Sequence, residues 1–207
     1  MPYGYLGQTP NQQLKNSGVF SVGDAKALTD VGQLGGSLEL IQEQTFSGDT
    51  NVDFTNIQGG AYDVHFMTYN FTVGTDNKRA GFRLFENGSI EEAGVYQVAT
   101  QSGNATGSFS EVSSTSSSDL RAINEIGGAA DERGSGYAYF YNLNNSSEYS
   151  FMTFNSTATN IAGVEVFEYG GGALPQASLV DGIRLFGIST TITGIAELFG
   201  VKKIWVT

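Results

Sequence analysis

The chain contains no cysteine, which excludes a disulfide framework, a thiolate zinc site, an iron–sulfur cluster and a cysteine nucleophile. It has one histidine, His65, and a single imidazole cannot make the two- or three-histidine constellation of common metal centres. No serine sits in a Gly-x-Ser-x-Gly elbow either, so a Ser-His-Asp triad has no recognisable nucleophile. Proline occurs only at 2, 10 and 175, leaving residues 11–174 free of a residue that removes a ladder donor from β-sheets. Charge is scarce at 15%, against about 25% in ordinary globular chains. No apolar run reaches the ~18 residues of a membrane-spanning helix, and the opening residues lack the basic flank and apolar run of a signal peptide. A soluble protein made in the cytoplasm is therefore expected.

What charge exists is mostly acidic. Ten Lys and Arg against 21 Asp and Glu give 10 − 21 = −11, a sign that repels phosphate backbones and anionic headgroups. Nucleic acid and membrane insertion are excluded as expectations. At 207 residues with 40% hydrophobic content, the chain suits one domain preceded by an arm.

Glycine, 28 residues, joins Asn and Ser in clusters between short apolar runs, which is the punctuation of many strands. The predicted strands are Ser37 to Glu43, Val52 to Ile57, Tyr62 to Val73, Ala80 to Glu86, Gly94 to Thr100, Leu120 to Ile126, Tyr137 to Leu143, Tyr149 to Asn155, Gly163 to Tyr169, Gly182 to Ile188 and Ile195 to Val201. Period-two alternation is clear in Phe82 and Leu84 against Arg83, and in Val164 and Val166 against Glu165. Around Tyr137, Tyr139 and Tyr141 aromatics fall on both faces, as in a central strand or one covered by a neighbouring subunit. The near-repeat of Ile183–Gly187 in Ala196–Gly200 reads as the two strands of a hairpin. One short helix is expected after Ser21, with Ala25, Ala27, Leu28 and Val31 on its apolar face. Before it, the Gln- and Asn-rich arm Met1 to Gly18 carries the isolated apolar residues Tyr3, Tyr5 and Leu6.

The remaining segments read as loops: Ser102 to Ser118, Gly127 to Gly136, and Tyr169 to Pro175 with its Gly170–Gly172 run. Paired acids at Glu91–Glu92 and Asp131–Glu132 are the raw material of a glycosidase, yet they fall at turns where such pairs are usually solvated. Asp49, Asn51 and Asp53 alternate like the start of a calcium loop, without the glycine and distant glutamate that complete one. His65 reads as a packed or interface residue. No catalytic residue, metal or cofactor is assigned, and a non-enzyme is expected.

The opening MPYGYLGQTPNQQLKNSGVFSVGDAKAL, then Gly35–Thr45, Tyr62–Phe66 and the closing Asp181–Phe186 and Leu198–Lys202, resembles small virion structural proteins of tailed bacteriophages, particularly marine ones. The likeness covers most of the chain and carries no reactive signature. It implies a virion component, either a tail-fibre or receptor-binding module or a capsid decoration protein, and brings no catalytic residues. Tyr3, Tyr5 and Leu6 then become the virion-anchoring arm. Tyr137, Tyr139 and Tyr141 become an oligomer interface, with a homotrimer expected by analogy. Ser113, Ser116, Asp131 and Arg133 become contact-loop residues for a host-surface glycan or protein. The expected architecture is all-β: an antiparallel sandwich of jelly-roll type over residues 35–207, after the arm and helix of residues 1–34.

Overall fold

Alternation of large apolar with small polar residues sets the architecture. In Val64–Val73, His65, Met67, Tyr69, Phe71 and Val73 are buried, while the residues between them are half-buried. In Ser150–Thr159 the same period buries Met152, Phe154 and Ala158 and exposes Phe151, Thr153 and Asn155. Side chains of a strand point to opposite faces in turn, so each such segment must lay one face on a core.

The computed structural model describes residues 38–201. They form thirteen strands: β1 (Leu38–Asp49), β2 (Asn51–Thr55), β3 (Val64–Val73), β4 (Lys78–Glu86), β5 (Ser89–Ile90), β6 (Tyr96–Asn104), β7 (Phe109–Ser117), β8 (Leu120–Ile126), β9 (Gly134–Tyr141), β10 (Ser150–Thr159), β11 (Glu165–Leu174), β12 (Val180–Gly187) and β13 (Ile192–Val201). No helix occurs among the described residues, and the strands make two antiparallel sheets. The larger has eight strands in the order β1-β13-β3-β9-β10-β11-β6-β7; the smaller runs β2-β12-β4-β5, with β8 also paired to β4. The all-β expectation holds at this level. The arm with Tyr3, Tyr5 and Leu6, and the helix expected after Ser21, lie outside the described residues.

The two sheets share one apolar core. Phe82 on β4 meets Phe140 on β9 edge-on at 5.2 Å and Tyr69 on β3 at 5.7 Å. Such tilted ring pairs add to the gain from burial alone. The Tyr69 hydroxyl reaches across to donate to the Ala122 carbonyl of β8 at 2.7 Å, so the ring's polar end is satisfied where it is buried.

Asparagine and glycine close the turns. Asn87 and Gly88 both take positive φ between β4 and β5, the backbone a two-residue hairpin needs. Between β6 and β7, Asn104 Oδ1 accepts from the amides of Thr106 and Ser108, both at 3.1 Å.

Three expectations are corrected. Ile183–Gly187 and Ala196–Gly200 do not form a hairpin: β12 pairs with β2 and β4, whereas β13 pairs with β3 in the other sheet. Strands that stack across a core show the same inward alternation as strands that pair, so the near-repeat could not separate the two cases. Ser102 to Ser118 is mostly strand, comprising the end of β6 and all of β7. An edge strand wetted on both faces has no apolar period to betray it. Gly170–Gly172 continues β11 instead of ending it. Glycine is needed there by proximity, since a Cβ on Gly172 would stand 2.7 Å from the Gln97 carbonyl oxygen and 2.5 Å from Leu120 Cδ2.

Replacing Gly172 by Ala should therefore lower stability by about 1–3 kcal/mol, the usual cost of overpacking. The midpoint of urea unfolding measures this. An unchanged midpoint would mean that β6 and Leu120 give way freely.

Candidate functional site: an outer aromatic face and an inner charged network

The outer face of the eight-stranded sheet is built by strand register. Phe66 on β3 lies opposite Phe199 on β13 and Tyr139 on β9, and Tyr141 on β9 lies opposite Phe151 on β10. Period two then turns Tyr137, Tyr139 and Tyr141 to the same side, while Ala138 and Phe140 enter the core. The predicted tyrosine trio is thus brought onto one face, and rings do stand on both sides of β9. Phe66 packs on Tyr139 at 4.7 Å between ring centres, and the Tyr139 and Tyr141 rings are stacked at 6.4 Å. Tyr137 remains 43% exposed and Phe151 45%, whereas Tyr139 and Tyr141 are half-buried.

No outward side chain on the neighbouring strands β3, β9 and β10 is charged. Their outer positions are Val, Phe, Tyr, Thr, Asn and Ser. Beside this ridge the surface dips into a groove of about 600 Å³. Ala99, Gly171 and Ala173 floor it, with Phe151 on one side and Ser113 to Thr115 of β7 on the other. Ser113 and Ser116, expected in a loop, are exposed positions of this edge strand. Asp131 and Arg133 do lie in the connection between β8 and β9, but Arg133 Nε donates to Asn70 Oδ1 at 2.7 Å and is held against β3.

Ionisable groups inside the fold form a different cluster. Glu168 is buried on the inner face of β11, where Thr100 Oγ1 donates to its Oε1 at 2.7 Å. Its Oε2 is buried with no hydrogen-bond partner among the described residues. Burial pushes this carboxyl above the usual range, outweighing the Thr100 hydrogen bond and the nearby Arg121 and Arg79 charges that favour ionisation. Burial likewise lowers the Arg121 pKa, and Arg79 reinforces the effect. Arg79 itself grips the buried Asp119 with two hydrogen bonds, at 2.8 and 3.3 Å. A cavity of about 110 Å³ adjoins Glu168, with Ser102, Ser110 and Asn124 in its wall. The alternation of Val164 and Val166 already places Glu168 on the inward side of β11, a signal that sequence reasoning passed over.

His65 is fully buried. Its Nε2 lies 2.7 Å from the Ile57 carbonyl, so Nε2 carries the proton and Nδ1 is left without a partner. Burial lowers its pKa and keeps the ring neutral.

The acidic pairs do not converge. Glu92 binds Arg83 at 2.6 Å, whereas Glu91 accepts from the Ala93 amide and lies beside Glu86. Burial raises the Glu86 pKa; Ser178 donates to that carboxylate and opposes the rise, while Glu91 adds to it. Glu132 accepts from the Ala129 amide, and Asp131 is exposed. The calcium-like run also separates: Asp49 caps the Ser47 amide, while Asp53 takes a two-pronged bond from Arg184 at 2.6 and 2.8 Å. Among the described residues, no three His, Asp or Glu side chains are placed to hold a metal ion.

Two outcomes follow for the inner network. Arg79→Ala leaves buried Asp119 with only the Ser118 hydroxyl and the Arg121 charge, and should cost about 2 kcal/mol, below the full penalty for a buried pair because Arg79 is partly solvated. Arg79→Lys should recover only part, having lost the two-pronged geometry; full recovery in a thermal melt would contradict this. For Glu168, the folded-state pKa lies above the unfolded one, so its ionisation costs stability as pH rises through the folded value. Glu168→Gln mimics the protonated form, and its melting temperature relative to the parent should climb from pH 4.5 to pH 8. A gap that stays constant with pH would show that Glu168 titrates normally.

No protein-family model matches the chain, and no curated protein matches it. Among solved structures, a protein of unknown function from Shewanella oneidensis MR-1 aligns with 92% of this chain and 98% of its own, at 10% identity and a TM-score of 0.23. That level of likeness carries no argument about fold or function.

Proposed function

We propose that the protein is a non-enzymatic structural component of a bacteriophage virion, working through surfaces and not through a reactive centre. The observation that carries this reading is the outer side of β3, β9 and β10, where exposed rings stand among uncharged side chains of those strands in a chain of net charge −11. Cores of protein interfaces are depleted in charge and enriched in Tyr, Phe and Trp. The resemblance of the chain's ends and middle to small virion proteins of tailed phages points the same way.

In this reading the arm with Tyr3, Tyr5 and Leu6 anchors the chain on other virion proteins, and the β-domain is displayed as a homotrimer. The loop with Asp131 and Arg133, and the β7 edge with Ser113 and Ser116, are its contacts with a host-surface glycan or protein. The domain belongs with jelly-roll sandwiches, a view supported by two antiparallel sheets over one core. A tail-fibre or receptor-binding position is preferred. Capsid decoration is the alternative, and copy number separates the two.

Quantitative mass spectrometry of purified particles tests the reading. The chain should be present at a few dozen copies at most, and deleting Met1 to Gly18 should remove it from particles while leaving a folded domain. Hundreds of copies would favour decoration. Unchanged incorporation of the deletion variant would refute the anchoring role, and absence of the intact chain from particles would refute the function.

A further inference from the structure

The partner of the outer aromatic face follows from its chemistry. Two copies of a chain carrying −11 repel one another wherever acidic surfaces meet. On β3, β9 and β10 that repulsion is reduced, because no outward side chain of these strands is ionised and charge reaches the face only at its borders, where Glu197 accepts from Thr68, Glu165 accepts from Thr157 and Arg133 donates to Asn70. Of the polar groups there, Thr68, Asn70 and Thr153 are engaged within the chain, with Glu197, with Ser135 and Arg133, and with Tyr141, while Asn155 can both donate to and accept from an identical surface.

Shape adds a second argument. The tyrosine ridge lies on β9 and the groove lies over β6 and β11, with β10 between them. The ridge is built from mutually supported rings, and the groove is broad and open, over floor residues Ala99, Gly171 and Ala173 that have little or no side chain. Phe151 borders both. One surface therefore carries a projection and a recess side by side, each uncharged.

We propose that the tyrosine ridge of one copy seats in the groove of a second copy, making this face the contact between subunits. The proposal rests on the assembly reading above and deepens it by naming the two surfaces that meet. A ridge-to-groove contact is head-to-tail and joins successive copies into a closed ring when the rotation allows.

Sedimentation of the purified full chain tests it. The parent should sediment at a multiple of its 22.0 kDa mass at micromolar concentration. Tyr139→Glu, which charges the ridge, and Ala99→Glu, which charges the groove floor, should each weaken association at least tenfold. Phe109→Ser changes an aromatic that is 76% exposed but lies on the β7 edge, away from the ridge, and should leave association intact. Mixing the ridge and groove variants should restore a two-chain species, because one partner still offers a sound groove and the other a sound ridge. That mixture also shows that both variants are folded.

A parent that stays monomeric, or a mixture that fails to associate, would overturn the proposal; binding of a neutral glycan panel by such a monomer would reassign the face to sugar. Association without incorporation into particles would leave this inference standing and remove the virion reading. A monomer found in particles would do the reverse.

Discussion

Everything described depends on the contact of Phe82 with Phe140 and Tyr69, where two sheets bury their aromatic inner faces against each other. An eight-stranded sheet has two faces, and the five-stranded sheet supplies apolar cover to one. Period two in β9 then leaves no choice for the other side. Once Ala138 and Phe140 are committed to the core, Tyr137, Tyr139 and Tyr141 must face outwards. The exposed aromatic face is thus a consequence of where the core lies.

The charged residues divide between two tasks. On the smaller sheet, Arg83 and Arg184 lie directly opposite each other, an arrangement that repels unless neutralised. Glu92 and Asp53 neutralise it, and the guanidinium groups rest over the Phe186 and Phe85 rings. Arg79, Asp119, Arg121 and Glu168 form a second group, in which burial raises the Glu168 pKa. The ridge strand β9 itself turns only aromatic and neutral polar side chains outward, and Arg133, which precedes it, is bound to Asn70 of β3.

Much of this was legible in the residues. The alternation in Phe82-Arg83-Leu84 gave a strand with the right faces, whereas Tyr137–Tyr141 read as aromatic on both faces and left a central strand and a subunit-covered strand open. Two kinds of information were not local. Which strand pairs with which depends on contacts across the core, so β12 and β13 looked like partners although they sit in different sheets. Strands that lack an apolar face are also silent: β7, Phe109–Ser117, is held by pairing with β6 and by the Asn104 turn, neither of which leaves a hydrophobic period. The groove escaped notice for a related reason, since Gly170–Gly172 reads as a loop until β6 and β10 are seen closing on it.

The central claim is that the molecule acts through the outer face of its larger sheet. Hydroxyl-radical footprinting of the chain inside purified particles, set against the same chain diluted and free, addresses this most directly. The account predicts strong protection of Tyr137, Tyr139 and Phe151 in the particle, with Phe109 on the β7 edge labelled at a similar rate in both states. Equal labelling of Tyr137 and Phe151 in the two states would contradict it.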